Sequence, residues 1–235
     1  MRRDVLALTF AMLFPSAIAA TYFVALGGSS GEAGNPAVQF VYSFGKVIQF
    51  GFPVVYLLVV DRDALRRFSL NRRGLGLGVA FGLVVATAIV LTANWLAASI
   101  LSEAPARVRA KVAEFGVARP GMFAGFAVFI CLIHSLLEEY YWRWFVFARL
   151  RLMMPFGSAA VISGLGFMAH HVFVLNEYLP GHLFDAVVPF SLAIAVGGAF
   201  WAWLYERSGS LLGPWMSHML VDAAIMFVGY RLVFG

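Results

Sequence analysis

Seven runs of apolar residues, each near the length that crosses a bilayer, constrain this chain more than any other feature. They fall at roughly 4–27, 38–60, 75–101, 121–148, 158–176, 186–206 and 211–233. A helix needs about 20 apolar residues to span the hydrocarbon core. In lipid, every backbone N–H and C=O must be satisfied internally, which only helices and closed barrels achieve. Runs of this length select the helix. Of 235 residues, 62% are hydrophobic and 12% are charged, where soluble domains carry about a quarter charged. The expected fold class is all-α, a polytopic membrane helix bundle of about seven transmembrane helices, or eight if a re-entrant segment hides a further span.

The first run resembles a secretory signal, with Arg2 and Arg3 before it and Ala17-Ile18-Ala19 as a small-residue site. The apolar run continues through Thr21-Tyr22-Phe23-Val24-Ala25-Leu26, so a retained helix is expected. The single cysteine, Cys131, excludes an intrachain disulfide and a cysteine-based zinc cluster.

The net charge of +5 does not point to nucleic acid, because the arginines gather in short loops between apolar runs. Arg62, Arg66, Arg67, Arg72 and Arg73 mark the loop 61–74 as inside, as do Arg149, Arg151 and Arg207 their own loops. The loops 28–37 and 177–185 hold no Lys or Arg and read as outside. The chain is thus expected to be an integral, multi-pass protein of a bacterial or archaeal cell membrane with a cytoplasmic N-terminus. One stretch runs against this pattern. Residues 103–119 would lie outside yet hold Arg107, Arg109, Lys111 and Arg119; Val108, Val112 and Phe115 interleaved with these charges suit a short amphipathic helix on the surface.

Charges also stand inside the spans. The fourth run carries Glu138-Glu139-Tyr140-Tyr141-Trp142-Arg143. A charge at bilayer depth costs at least ~2.5–3.5 kcal/mol, so such residues face a bundle interior or a cavity and mark function. Glu138 lies eleven residues before Arg149, about 16 Å along the helix. Residues four apart share a helix face, so Glu139 can pair with Arg143 and stay ionised. Glu138 points about 100° away, toward the face of His134, and is left to accept a proton. In the fifth run Ser163, Phe167 and His171 form one stripe, with His170 beside it; in the seventh, His218 and Asp222 share a face. Lys46 stands alone in the second span, where snorkelling or pairing within the bundle accounts for it.

A glutamate and a histidine converging on one water can deprotonate it for attack on an amide carbonyl. The His218/Asp222 pair suits an oxyanion site; Asp222 donates there itself if it is protonated, and otherwise fixes His218. No serine nucleophile elbow and no HExxH helix is present. His171, His218 and Glu138 together would also make a known zinc set, so a zinc-dependent version stays open beside the metal-free one.

The order Glu138-Glu139-xxx-Arg143, Phe167-xxx-His171, His218-xxx-Asp222 on apolar spans resembles the CPBP family of intramembrane endopeptidases. That family includes the CAAX prenyl endopeptidase and bacterial proteins labelled abortive-infection (Abi) or bacteriocin-immunity proteins. The resemblance covers residues 120–233 and divides the chain into N-terminal membrane helices with the amphipathic loop helix, 1–119, and a catalytic helical core, 120–235. It implies a glutamate-dependent mechanism without cofactor or metal. Glu138 and His171 would activate the water, Arg143 would hold Glu139, and His218 with Asp222 would form the oxyanion site. The prenyl endopeptidase has Asn at the position of Asp222, a mild departure. The expected function is hydrolysis of a peptide bond near the membrane anchor or C-terminal tail of a protein substrate, in the lipid bilayer and with no nucleic-acid partner. Two other classes compete. A proton-coupled carrier would also use intramembrane Glu, His and Arg, but no inverted repeat is evident. In a non-catalytic immunity or scaffold protein, Glu139–Arg143 would merely lock helices together. The seventh span holds no lysine, which argues against a retinal-binding rhodopsin.

Overall fold

The computed structural model describes residues 2–21, 23, 36–65 and 67–235 and is helical throughout its regular elements. Among the described residues, seven helices are long and apolar enough to cross a membrane. They are α1 (Arg2–Ala20), α2 (Pro36–Val60), α3 (Leu75–Leu96), α5 (Pro120–Arg151), α6 (Phe156–Tyr178), α7 (Leu183–Ser208) and α8 (Leu212–Phe234). The remaining labelled helix, α4 (Ala104–Glu114), is short and carries the charges noted above. These are the seven expected spans, and no eighth occurs among the described residues. Residues 22 and 24–27 at the end of the first run, most of the loop 28–37, and Arg66 lie outside the described residues.

Lipid tails are as apolar as leucine, so helices in a membrane associate through close packing, and small residues supply it. The main pairings are α3 with α8, α6 with α7 and α1 with α6. At the α3–α8 crossing, a Cβ added to Gly78 would sit 2.2 Å from the Gly213 carbonyl oxygen, and one on Gly82 would sit 2.9 Å from Ser217 Cα. At the α6–α7 crossing, a Cβ on Gly164 would sit 2.7 Å from the Ala195 carbonyl oxygen. These contacts fix the positions of α6 and α8, which carry the histidines.

The central helix is α5. Every side chain from Glu138 to Phe147 is buried, so this stretch faces protein on all sides and its charges are not set into lipid. The helix is wound wider over Ile130–His134 and again over Tyr140–Phe147, with a regular α-helical segment, Ser135–Glu139, between. Such π-helical turns are rare and gather at functional sites; here they flank the two glutamates. Helix α1 is a packed member of the bundle. The Tyr141 hydroxyl donates to the Ala11 carbonyl at 2.7 Å, and the Arg149 guanidinium lies 3.7 Å from Asp4 and 2.8 Å from Asp61.

Helix α4 behaves differently from a helix that merely lies on lipid. Its Lys111 is buried and reaches Glu114 at 3.0 Å and Glu177 of α6 at 3.5 Å. Arg109 donates to the Val233 carbonyl of α8, and Gln39 of α2 donates to the Glu114 carbonyl. The helix thus ties together the ends of α2, α6 and α8. Some of the positive charge that runs against the loop pattern is absorbed within the protein.

Candidate active site

Three helices bring the site together. From α5 come His134, Glu138, Glu139 and Arg143; from α6, Phe167, His170 and His171; from α8, His218 and Asp222. Each α5 group follows from helix spacing, since 134, 138 and 139, 143 are pairs four apart. The α6 and α8 groups meet them only because the helices cross closely at their glycines.

Glu139 and Arg143 are wholly buried, and Arg143 Nε lies 3.1 Å from Glu139 Oε2, as their spacing predicts. The arginine is also held by aromatic faces, with its guanidinium carbon 4.7 Å from the Phe167 ring centroid and 5.0 Å from that of Trp201. The other oxygen of Glu139 is engaged as well. His218 Nδ1 is 2.8 Å from Oε1. A carboxylate paired with arginine accepts, so Nδ1 carries the proton and donates. The His218 ring stacks on Trp201 at 4.5 Å, and the Trp201 indole N–H donates to the Ser217 hydroxyl. This second tie on Glu139, and the aromatic box of Phe167 and Trp201, could not be read from the sequence.

Glu138 sits among imidazoles. Its Oε1 is 3.6 Å from His170 Nε2 and 3.7 Å from His134 Nε2, and its Oε2 is 3.7 Å from His218 Nε2. These separations exceed a direct hydrogen bond and are suited to charge attraction or a bridging water. The His134 contact follows from the i−4 spacing. Phe50 of α2 packs its ring edge-on against His134, with the Lys46 ammonium 5.4 Å from the Phe50 centroid.

His171, which the spacing from Phe167 singles out, lies beside this group. Its Nδ1 is 2.9 Å from the Phe167 carbonyl oxygen. A carbonyl can only accept, so Nδ1 is the donor and Nε2 is left toward the site. The rings of His170 and His171 are 4.1 Å apart. His170 is the more buried and has the closer ion-pair contact with Glu138. Ser163 of the same stripe takes no part; its hydroxyl donates to the Trp142 carbonyl. Glu138, His170 and His171 each offer a donor atom within 4.8 Å of the others, the one set among the described residues spaced to hold a metal ion. It differs from the set named above by having His170 in place of His218. Asp222 Oδ1 is 3.7 Å from His218 Nε2, and its Oδ2 is buried with no hydrogen-bond partner among the described residues.

The arrangement has two layers. Glu139, Arg143 and His218 form an inner frame, joined by an ion pair at 3.1 Å and a hydrogen bond at 2.8 Å. Glu138, His170, His171 and Asp222 surround it, with Glu138 and Asp222 no closer than 3.6 Å to the imidazoles around them. Comparison with known proteins bears on this part of the chain. Residues 120–224, which include every group of the site, match the family model described as type II CAAX prenyl endopeptidase Rce1-like. The match agrees with the CPBP resemblance drawn from the three motifs. No curated protein and no solved structure matches the chain.

Proposed function

We propose that this membrane protein, whose α5–α8 segment is that of a CAAX-type protease family, is an intramembrane endopeptidase. It hydrolyses a peptide bond near the membrane anchor or C-terminal tail of a protein substrate. The observation that carries the reading is the convergence of Glu138 with imidazoles from α5, α6 and α8, inside a bundle of apolar helices. Glu139, by contrast, has Arg143 at 3.1 Å and His218 at 2.8 Å. Here Glu138 keeps separations that a water can fill.

In this reading Glu138 takes a proton from the attacking water, and the free Nε2 of His171, with His170 beside it, orients that water. Arg143 pairs with Glu139, and Glu139 in turn fixes the His218 ring. His218 and Asp222 then face the carbonyl oxygen as charge develops on it. Fixed donors in a dry site stabilise such charge by a few kcal/mol. Arginine-rich loops between the spans support a cytoplasmic N-terminus.

The test is a comparison of wild type with Glu138→Gln, expressed at matched folded levels in the native host. Membrane-protein N- and C-termini are then mapped by mass spectrometry. New termini near hydrophobic segments, present only with the wild type, are expected. Identical termini would overturn the endopeptidase and favour a carrier or scaffold.

A further inference from the structure

Lys46 is the only charged residue of α2, and the chemistry above leaves it without a task. It stands ten residues from Pro36 and fourteen from Val60, about 15 and 21 Å along the helix. Its ammonium therefore belongs to the span rather than to either rim. A cation at that depth is costly and marks function.

The neighbours of Lys46 show which way its side of the helix faces. Phe40, Phe44, Val47 and Val55 are exposed and form the lipid face. Tyr42 and Phe50, four residues to either side of Lys46, point inward. They pack edge-on against Phe115 and His134, at 5.9 and 6.0 Å between ring centroids. The Lys46 ammonium lies 5.7 Å from the Tyr42 centroid and 5.4 Å from that of Phe50. It is half-buried and forms no ion pair among the described residues, while its charge acts on Glu138, His134 and His170. Aromatic faces hold a cation in place but leave its N–H donors open to an anion. Gln49, three residues on and so on the same side, is wholly buried. Neither its Oε1 nor its Nε2 has a hydrogen-bond partner among the described residues.

From the ammonium to Glu138 the path runs over the Phe50 ring and the His134 imidazole, in steps of 5.4, 6.0 and 3.7 Å. An extended peptide rises about 3.3 Å per residue, so no more than about five residues bridge the two. We propose that Lys46 receives the C-terminal carboxylate of the substrate and so is a specificity-determining residue, one that places the bond at Glu138 within a few residues of a free C-terminus. The proposal rests on the endopeptidase reading for the bond that is cut, while the carboxylate site can be measured without turnover. The ammonium gives the carboxylate a charge-assisted hydrogen bond. A chain that continues past Lys46 brings no anion to it and leaves the cation unmatched, which selects against internal segments.

The experiment has two arms. Binding is measured at neutral pH in lipid nanodiscs on Glu138→Gln, so that no cleavage intrudes. The probe is N-dodecanoyl-trialanine, as the free acid and as its C-terminal amide. The acid should bind at least about tenfold more tightly than the amide, the scale of one hydrogen bond to a charged group. Adding Lys46→Met should abolish the difference, and adding Lys46→Arg should keep it to within about threefold. No preference for the acid, or a preference that survives Lys46→Met, would overturn the proposal. Dodecanoate bound as tightly as the peptide acid would also overturn it, since Lys46 would then be a general anion site.

In the second arm, termini are mapped in the native host. Wild-type cleavage sites should fall within about five residues of substrate C-termini. Lys46→Met should lower their accumulation about tenfold at equal folded level, and Lys46→Arg should restore most of it. Sites spread far from C-termini, or unchanged accumulation in Lys46→Met, would overturn the proposal and leave the endopeptidase standing. An acid preference that depends on Lys46, in a protein that generates no termini, would mean that the carboxylate site stands and the endopeptidase reading fails.

Discussion

His218 Nδ1 lies 2.8 Å from Glu139 Oε1, which makes the glutamate a bridge between α5 and α8 rather than a partner of Arg143 alone. The bond sets the imidazole tautomer and directs Nε2 toward Glu138 and Asp222. A site that must present one nitrogen to a substrate gains from having the other nitrogen tied. Several outcomes depend on this frame.

Truncating His218 to Ala should cost stability as well as turnover. It leaves one oxygen of a buried carboxylate without its donor, a loss of about 1–3 kcal/mol. Denaturant unfolding in detergent, followed by Trp fluorescence, would register it. A variant as stable as wild type would show that the Glu139 bond is not formed in the membrane.

Glu138→Gln should behave in the opposite way. The carboxamide keeps the shape, and no short bond of Glu138 is lost, so the folded fraction should be unchanged while cleavage falls by about 10²–10⁴, the range for a general base. Terminus counts normalised to folded protein check this. His170→Ala, at the imidazole nearest Glu138, should slow the same assay by about tenfold or more on that scale.

Removing Arg143 leaves Glu139 as a buried charge with one partner. Arg143→Ala should destabilise the fold by about 3–5 kcal/mol. Because the two side chains act as a unit, the double variant Glu139→Gln/Arg143→Ala should be less destabilised than the two single losses added together. A thermal-unfolding double-mutant cycle that proved additive would contradict the pairing.

The crossing of α3 and α8 depends on the absence of a side chain at Gly78. A methyl there meets the Gly213 carbonyl at 2.2 Å, so Gly78→Ala must push the helices apart. The expected cost is about 1–3 kcal/mol of overpacking, with a further loss of cleavage because α8 carries His218 and Asp222. Unfolding midpoints and terminus counts would show the two effects together.

Chelation separates the two chemistries that Glu138, His170 and His171 could support. With water activated by Glu138, prolonged dialysis against a chelator should leave the cleavage rate within about twofold, where removal of a metal that supplied the nucleophile would abolish it. Loss of activity restored by zinc ions would reassign the three residues as ligands.

Much of this was legible along the chain, and the reason is the bilayer. Apolar runs of fixed length give the spans because lipid offers backbone groups no partners. Charges within those runs stand out against the cost of placing them there. The pairs Glu139–Arg143, His134–Glu138 and His218–Asp222 follow from i,i+4 geometry on single helices. Helix α4 was legible as amphipathic, but not as a tie between α2, α6 and α8, because Lys111 finds Glu177 more than sixty residues away.

By itself, then, the sequence determined the seven spans, the chemical groups that enter them and the pairs within each helix, all of which are local properties of a 3.6-residue turn and an apolar solvent. The tertiary structure alone decided that His218 bonds Glu139, that His170 comes closer to Glu138 than His171 does, and that Asp222 is left with an orphaned oxygen. Those outcomes depend on the angle and depth at which α5, α6 and α8 meet. Backbone contact at small residues sets that angle and depth, and no periodicity along a single helix encodes it.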